Sequence, residues 1–224
     1  MIKGVAEYLN IDVDTDLLLD LYNKVKGDRK GVDFNVFGKT PFESYSLEYS
    51  VSGKPTGYEK VFDPILSLHR KVHPHYQFRS TGFNTADSTE KDVFPHTDID
   101  EDTKYSQGYN IVIPLLGNSR IDYYEKREEE IWLPEKNAHG YAYYHEFYAQ
   151  SYDKNLKIRP SFEKFLAERK IGEIIVDKPI LIETEIMHRV VITEAPRCAW
   201  VTRWNNIPPK WTFEKWKDRV ESML

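Results

Sequence analysis

A single cysteine, Cys198, stands among the 224 residues, so neither a disulfide framework nor a thiolate zinc cluster can be built within the chain. A reducing compartment suits that composition. No apolar run approaches the roughly 20 residues that cross a bilayer as a helix, so no membrane span is expected. Positive charge is in deficit, with 31 Lys and Arg against 36 Asp and Glu and a net charge of −5. That argues against the broad cationic footprint needed for a nucleic-acid backbone, leaving room only for a local basic groove. The 12 prolines and 11 glycines are scattered, with no linker, repeat or low-complexity tract between them. One domain over residues 1–224 is the expectation. Met1 to Glu7 lack the basic and then apolar order of a secretion signal, so the expected location is cytoplasmic.

What the chain has in quantity is aromatic residues, 14% of the total with 15 Tyr and 5 Trp, more than a minimal core requires and enough to line a pocket. Asp14 or Thr15 can cap a helix in which Leu17, Leu18, Leu21 and Val25 recur at helical spacing, with Gly27 as its stop. Asp63 and Pro64 open a second helix ending near Pro74. From about residue 76 the pattern changes to short β-branched and aromatic stretches between turn formers. The strands expected are roughly 76–84, 92–99, 107–116, 120–125, 140–148, 173–177, 179–186, 188–193 and 197–204. Ser161 to Arg169 reads as a helix between them. Phe213, Trp216, Val220 and Met223 predict a closing helix over 212–224. The fold class expected is mostly β with flanking helices: a helical part over about 1–75, a jelly-roll core over about 76–206, and the closing helix.

Phe94-Pro95-His96-Thr97-Asp98 carries the most chemistry, because residues i and i+2 of a strand share a face. His96 and Asp98 can therefore hold one ion. Alone, a His-x-Asp is a weak signal that an ordinary exposed pair explains as well. His188 follows 92 residues downstream, after the apolar stretch Pro179 to Ile182. Standing alone it would be a satisfied core histidine. Nine residues later comes Arg197, heading Arg197-Cys198-Ala199-Trp200-Val201-Thr202-Arg203-Trp204, in which alternation puts Arg197, Ala199, Val201 and Arg203 on one face. Two guanidinium groups beside small apolar residues are costly to bury without anionic partners.

In this ordered set, His96-Thr97-Asp98, then His188, then Arg197, the chain resembles the Fe(II)- and 2-oxoglutarate-dependent oxygenases over about residues 76–206. Tyr109 to Leu115 is similar to the strand that follows the family's first ligand pair, and Pro179 to Thr184 to the strand before its second histidine. The resemblance implies a double-stranded β-helix, of jelly-roll or cupin-like type. It also implies Fe(II) held by His96, Asp98 and His188, an arrangement that leaves positions open for oxygen chemistry. The co-substrate 2-oxoglutarate would chelate the metal and meet Arg197 through its distal carboxylate, a pairing suited to the planar guanidinium fork. Arg203, Asn110 and Thr184 are further candidate contacts for the co-substrate, with a structural role open for the last two. The implied reaction hydroxylates a substrate while releasing succinate and carbon dioxide.

Other clusters have plainer readings. His69, His73 and His75 form a second cluster, the first two on one helix face, but basic residues are favoured in a last helical turn. His139 and His145 lie in an aromatic stretch, 139–148, whose plain reading is packing. Asp100, Glu101 and Asp102 read as a solvated loop, and Glu125 to Glu130 as a charged edge or turn. The tryptophans Trp200, Trp204, Trp211 and Trp216 are expected to pin the closing helix to the sheet. A small polar metabolite or a peptide side chain suits the tyrosines and charges of the intervening segments, with nucleic acid disfavoured and no membrane partner expected. Two alternatives stand beside the oxygenase: a non-catalytic jelly-roll binding or assembly module, and a cupin-like metalloprotein that does not use 2-oxoglutarate.

Overall fold

The computed structural model describes residues 2–26, 32–34, 42–46, 71–72, 82–89, 95, 108–125, 134–136, 142–144, 160–204 and 211–224. In chain order these form β1 (Ala6–Tyr8), α1 (Thr15–Val25), β2 (Val32–Phe34), β3 (Phe42–Ser46), β4 (Gly82–Ala86), β5 (Tyr109–Tyr124), β6 (Pro134–Lys136) and β7 (Ala142–Tyr144). Then follow α2 (Pro160–Arg169), β8 (Lys170–Ile175), β9 (Ile180–Glu183), β10 (His188–Trp204) and α3 (Phe213–Met223). The architecture is mostly antiparallel β with flanking helices. Eight strands join in the order β1-β9-β5-β10-β4-β3-β2, with β8 added to β5, while β6 and β7 make a separate ribbon.

Two long strands organise the sheet. β5 and β10 pair antiparallel from His188↔Tyr123 to Trp204↔Tyr109, with register shifts between Ile192 and Ala199. The other edge of β5 carries β9 beside Tyr109–Val112 and β8 beside Arg120–Tyr124. The two halves close on each other, because Val112, Ile180, Ile182, Ala199 and Val201 from one share an apolar cluster with Ile121, Tyr123 and Ile174 from the other. Alternation sends the neighbouring side chains to the opposite face. There Ile111, Ile113, Leu181, Trp200 and Trp204 pack with Leu18 and Leu21 of α1 and with Phe213, Trp216 and Val220 of α3.

The helices start where side chains cap them. Asp14 Oδ1 accepts from Leu17 N at 2.9 Å, and Thr212 Oγ1 accepts from Lys215 N at 3.4 Å, each satisfying a backbone donor of the first turn. The expected role of the tryptophans is met: Trp204 and Trp211 lie edge-on to Trp216 at 5.5 and 5.8 Å between ring centres, and Trp200 meets Phe83 at 5.0 Å. Burying each large ring contributes on the order of 2–3 kcal/mol.

Three expectations differ from the structure. The stretches 107–116 and 120–125 are one strand, as are 188–193 and 197–204, because Gly117 and the segment around Pro196 form an irregularity inside continuous pairing rather than a turn that ends it. The N-terminal part is not helical alone, since it also supplies β1, β2 and β3 to the sheet. Runs of three to five residues are too short to show alternation. The strand expected at 92–99 lies outside the described residues, apart from a buried Pro95. The second helix is described only at Lys71 and Val72, both helical, whose carbonyls accept from the Arg219 guanidinium of α3.

Gly117 holds the bend. Its φ of +58° is one that other residues adopt reluctantly, and a Cβ there would stand 2.5 Å from the carbonyl oxygens of Glu194 and Pro196. Gly117→Ala is expected to destabilise the protein by about 2–4 kcal/mol through backbone strain and that clash. Urea denaturation checks this, and a loss below about 0.5 kcal/mol would contradict the backbone geometry.

Candidate functional site

The site grows from the turn between β9 and β10. Thr184 fixes the turn to the start of β5, its backbone N–H and its hydroxyl both donating to the Gly108 carbonyl, at 3.0 and 2.9 Å. Two residues on, the Ile186 carbonyl lies 2.9 Å from His188 Nδ1. A carbonyl only accepts, so Nδ1 carries the proton and Nε2 keeps its lone pair. That is the tautomer of a metal-binding imidazole with its rear nitrogen anchored. His188 is 3% exposed, and its ring lies 5.9 Å from that of Tyr123, its cross-strand partner. Tyr123 belongs to the cluster between the two sheet halves, so His188 faces inward.

Arg197 emerges on the same inward face. Its strand pairs regularly with β4 from Arg197↔Ala86 to Val201↔Gly82, and Ala199 and Val201, at two and four residues on, both belong to the inner cluster. The residue is 5% exposed, and one guanidinium nitrogen donates to the Asn84 carbonyl at 3.3 Å. Burial pulls its pKa down to about 10, which still leaves it cationic at neutral pH. A carboxylate brought to such a cation would replace the lost hydration with charge-assisted hydrogen bonds. Cys198, one residue on, points to the helix-facing cluster, where burial pushes its thiol up to about 12 and leaves it unreactive.

Of the other expected residues, Asn110 is buried and stands across from Ile182 on one side and from Arg203 on the other. Since Ile182 belongs to the inner cluster, Asn110 faces inward as well, and Arg203 occupies the register position beside it. The hydroxyl proton of Thr184 is committed to Gly108, so toward a ligand this side chain has only lone pairs to offer. His96 and Asp98 lie outside the described residues, as do His69, His73, His75, His139 and His145. Among the described residues, no three His, Cys, Asp or Glu side chains converge as a metal group. Tyr123 is a neighbour of His188 that sequence reading missed. Only the strand register reveals it.

No protein-family model matches the chain, and no curated protein does. Solved structures do match. The epimerase SnoN, crystallised with Fe3+, alpha-ketoglutarate and nogalamycin RO, aligns at a TM-score of 0.51 and 11% identity, over 90% of this chain and 78% of that one. HygX from Streptomyces hygroscopicus, crystallised with nickel and 2-oxoglutarate, aligns at 0.48 and 11% identity, over 86% and 79%. E. coli ycfD aligns at 0.39 and 13% identity over 80% of this chain, which spans little more than a third, 37%, of that one. The fold is therefore that of SnoN, an enzyme crystallised with iron and a 2-oxo acid.

One perturbed carboxyl stands apart from the inward face. Glu183 lies across from Tyr109 and two residues beyond Leu181, hence toward the helices. Burial first, and the nearby Glu185 second, push its pKa up to about 7. Between the ordinary carboxyl range and pH 7 the folded state thus holds a proton that the unfolded state has released, so stability falls as pH rises through that window. Glu183→Gln removes the penalty. The melting temperature of the variant is expected to gain on wild type between pH 5 and pH 8, and a gap independent of pH would contradict the assignment.

Proposed function

We propose that this chain is an Fe(II)- and 2-oxoglutarate-dependent oxygenase acting on a small polar molecule or a peptide side chain. The observation that carries the reading is the shared inward face of His188 and Arg197: an imidazole whose Nδ1 is fixed by Ile186, leaving Nε2 as ligand, and a buried guanidinium that gains from an anion. The residues fit the cofactor in kind, with a neutral imidazole for the ferrous ion and a bidentate donor for a carboxylate. His96 and Asp98 would complete the ligand set with His188, and Arg197 would receive the distal carboxylate of 2-oxoglutarate. Asn110 and Arg203, adjacent by register, would stand next along the co-substrate, and Thr184 would hold the turn that carries His188 while offering at most an acceptor. Bound iron would supply the activation of oxygen, which the protein's own side chains cannot provide.

The chain's residues then do three things. The Ile186 carbonyl holds His188 in one tautomer. Arg197 orients the co-substrate from the far end, and the apolar cluster of Val112, Tyr123, Ala199 and Val201 keeps water from the space between. SnoN is described as an epimerase, so the same fold also carries outcomes other than hydroxylation.

Anaerobic addition of Fe(II) and 2-oxoglutarate is expected to produce a weak visible charge-transfer band, and aerobic incubation to release succinate. His188→Ala should abolish both. Arg197→Met should leave Fe(II) binding in place while raising the 2-oxoglutarate KM by about 10- to 100-fold, the equivalent of a lost charged hydrogen-bond pair of ~1.5–3 kcal/mol. Folded wild-type protein that shows neither band nor succinate would sink the oxygenase reading and return the chain to a binding module or a cupin-like metalloprotein.

A further inference from the structure

The residues on either side of His188 face the opposite way, and α2 covers them both. Met187 packs with Leu166 of α2 and with Tyr124. Arg189 reaches Glu163 of α2 at 3.1 Å. The backbone closes the same unit, for Tyr124 N donates to the Met187 carbonyl and Glu125 N to the Arg169 carbonyl at the end of α2, both at 2.9 Å. Thus the two neighbours of the imidazole are tied to one helix, one by apolar contact and one by charge.

Fold stability alone does not call for a guanidinium here. The Arg189 side chain is 7% exposed while Glu163 is 48% exposed, so the pair includes one deeply desolvated charge. An apolar residue of similar length would serve a core at least as well. Asp122, across from Arg189 in register, does not require it either, since its carboxylate already accepts from Arg120 at 2.7 and 3.1 Å and pairs with Lys170 at 2.9 Å. What the ion pair adds is direction, because it fixes the rotation of the strand at the residue next to the imidazole.

We propose that Arg189 and Glu163 are positioning residues for His188, joining α2 to the first turn of β10 so that Nε2 is held toward the metal. The proposal rests on the oxygenase reading for the identity of the metal. Groups that orient a ligand from behind typically change metal affinity by about 10- to 100-fold when removed.

The test compares full-length wild type with Arg189→Met, Arg189→Lys and Glu163→Gln. Fe(II) is titrated anaerobically in the presence of 2-oxoglutarate, with the charge-transfer band as readout, and the melting temperature is measured without metal. Arg189→Met keeps the packing of the stem, so its metal-free melting temperature should stay near that of wild type while its Fe(II) affinity falls about tenfold or more. Arg189→Lys should recover most of that loss. Unchanged affinity in Arg189→Met overturns the proposal, and so does a loss fully accounted for by a lower metal-free melting temperature. If Arg189→Met does not fold, Glu163→Gln decides, since its side chain is half exposed: a severalfold weaker affinity supports the proposal and wild-type affinity overturns it. A wild type that binds no Fe(II) instead removes the oxygenase reading, and the pair then serves the fold alone.

Discussion

The pairing of β5 with β10 is the constraint on which the remaining structure depends. It carries β9 and β1 on one side and β4, β3 and β2 on the other, and it passes through both halves of the fold. Because each long strand crosses the bend, alternate residues of one strand serve two different cores. Trp200 and Trp204 meet the helices, while Ala199 and Val201 meet the opposing half-sheet. The small residues on the inner side matter as much as the large ones outside. Ala199 and Val201 lie in the inner cluster, and His188, Asn110 and Arg197 face the same side.

The polar side chains around this turn are held in different ways. His188 and Thr184 are held by the carbonyls of Ile186, in the turn before β10, and of Gly108, just before β5, so the backbone ties down the turn that bears the imidazole. Arg197 retains a burial penalty, seen in its lowered pKa, even with the Asn84 carbonyl in reach. The two side chains thus differ: the imidazole is anchored by the turn that bears it, while burial is the largest influence on the guanidinium. The outward face around His188 follows the opposite rule, with charges that neutralise one another within the chain. Asp122 is shared between Arg120 and Lys170, and Arg189 meets Glu163.

Where sequence reading succeeded, a local chemical signal existed. Asp14 and Thr212 announced the starts of α1 and α3, and the Trp and Phe spacing announced the packing of α3. Arg197, Ala199 and Val201 were assigned to one face by alternation, and the regular pairing with β4 keeps them there. The candidate pair His96 and Asp98 is legible as a motif, yet both residues lie outside those described. What escaped was non-local. The short strands β1, β2 and β3 owe their conformation to the edges they join, and a segment as short as Ala6-Glu7-Tyr8 has no pattern of its own. Tyr123 beside His188, and Arg189 beside Glu163, exist only once register and helix placement are known.

The irregularity in β10 also shortens the path between His188 and Arg197. Nine residues of straight strand separate their ends by about 30 Å. Between His188↔Tyr123 and Cys198↔Leu116, ten steps along β10 oppose only seven along β5, so the strand bulges away from a straight path within the interval that separates His188 from Arg197. Gly117 supplies the opposing bend in β5, its missing side chain admitting the carbonyls of Glu194 and Pro196. Because Tyr123 and Ala199 then share one apolar cluster, the ends of that interval face a common interior. A regular strand would give better hydrogen bonding and set the two side chains further apart. The register shift gives up some ladder regularity and shortens the interval between two buried polar side chains that face the same interior.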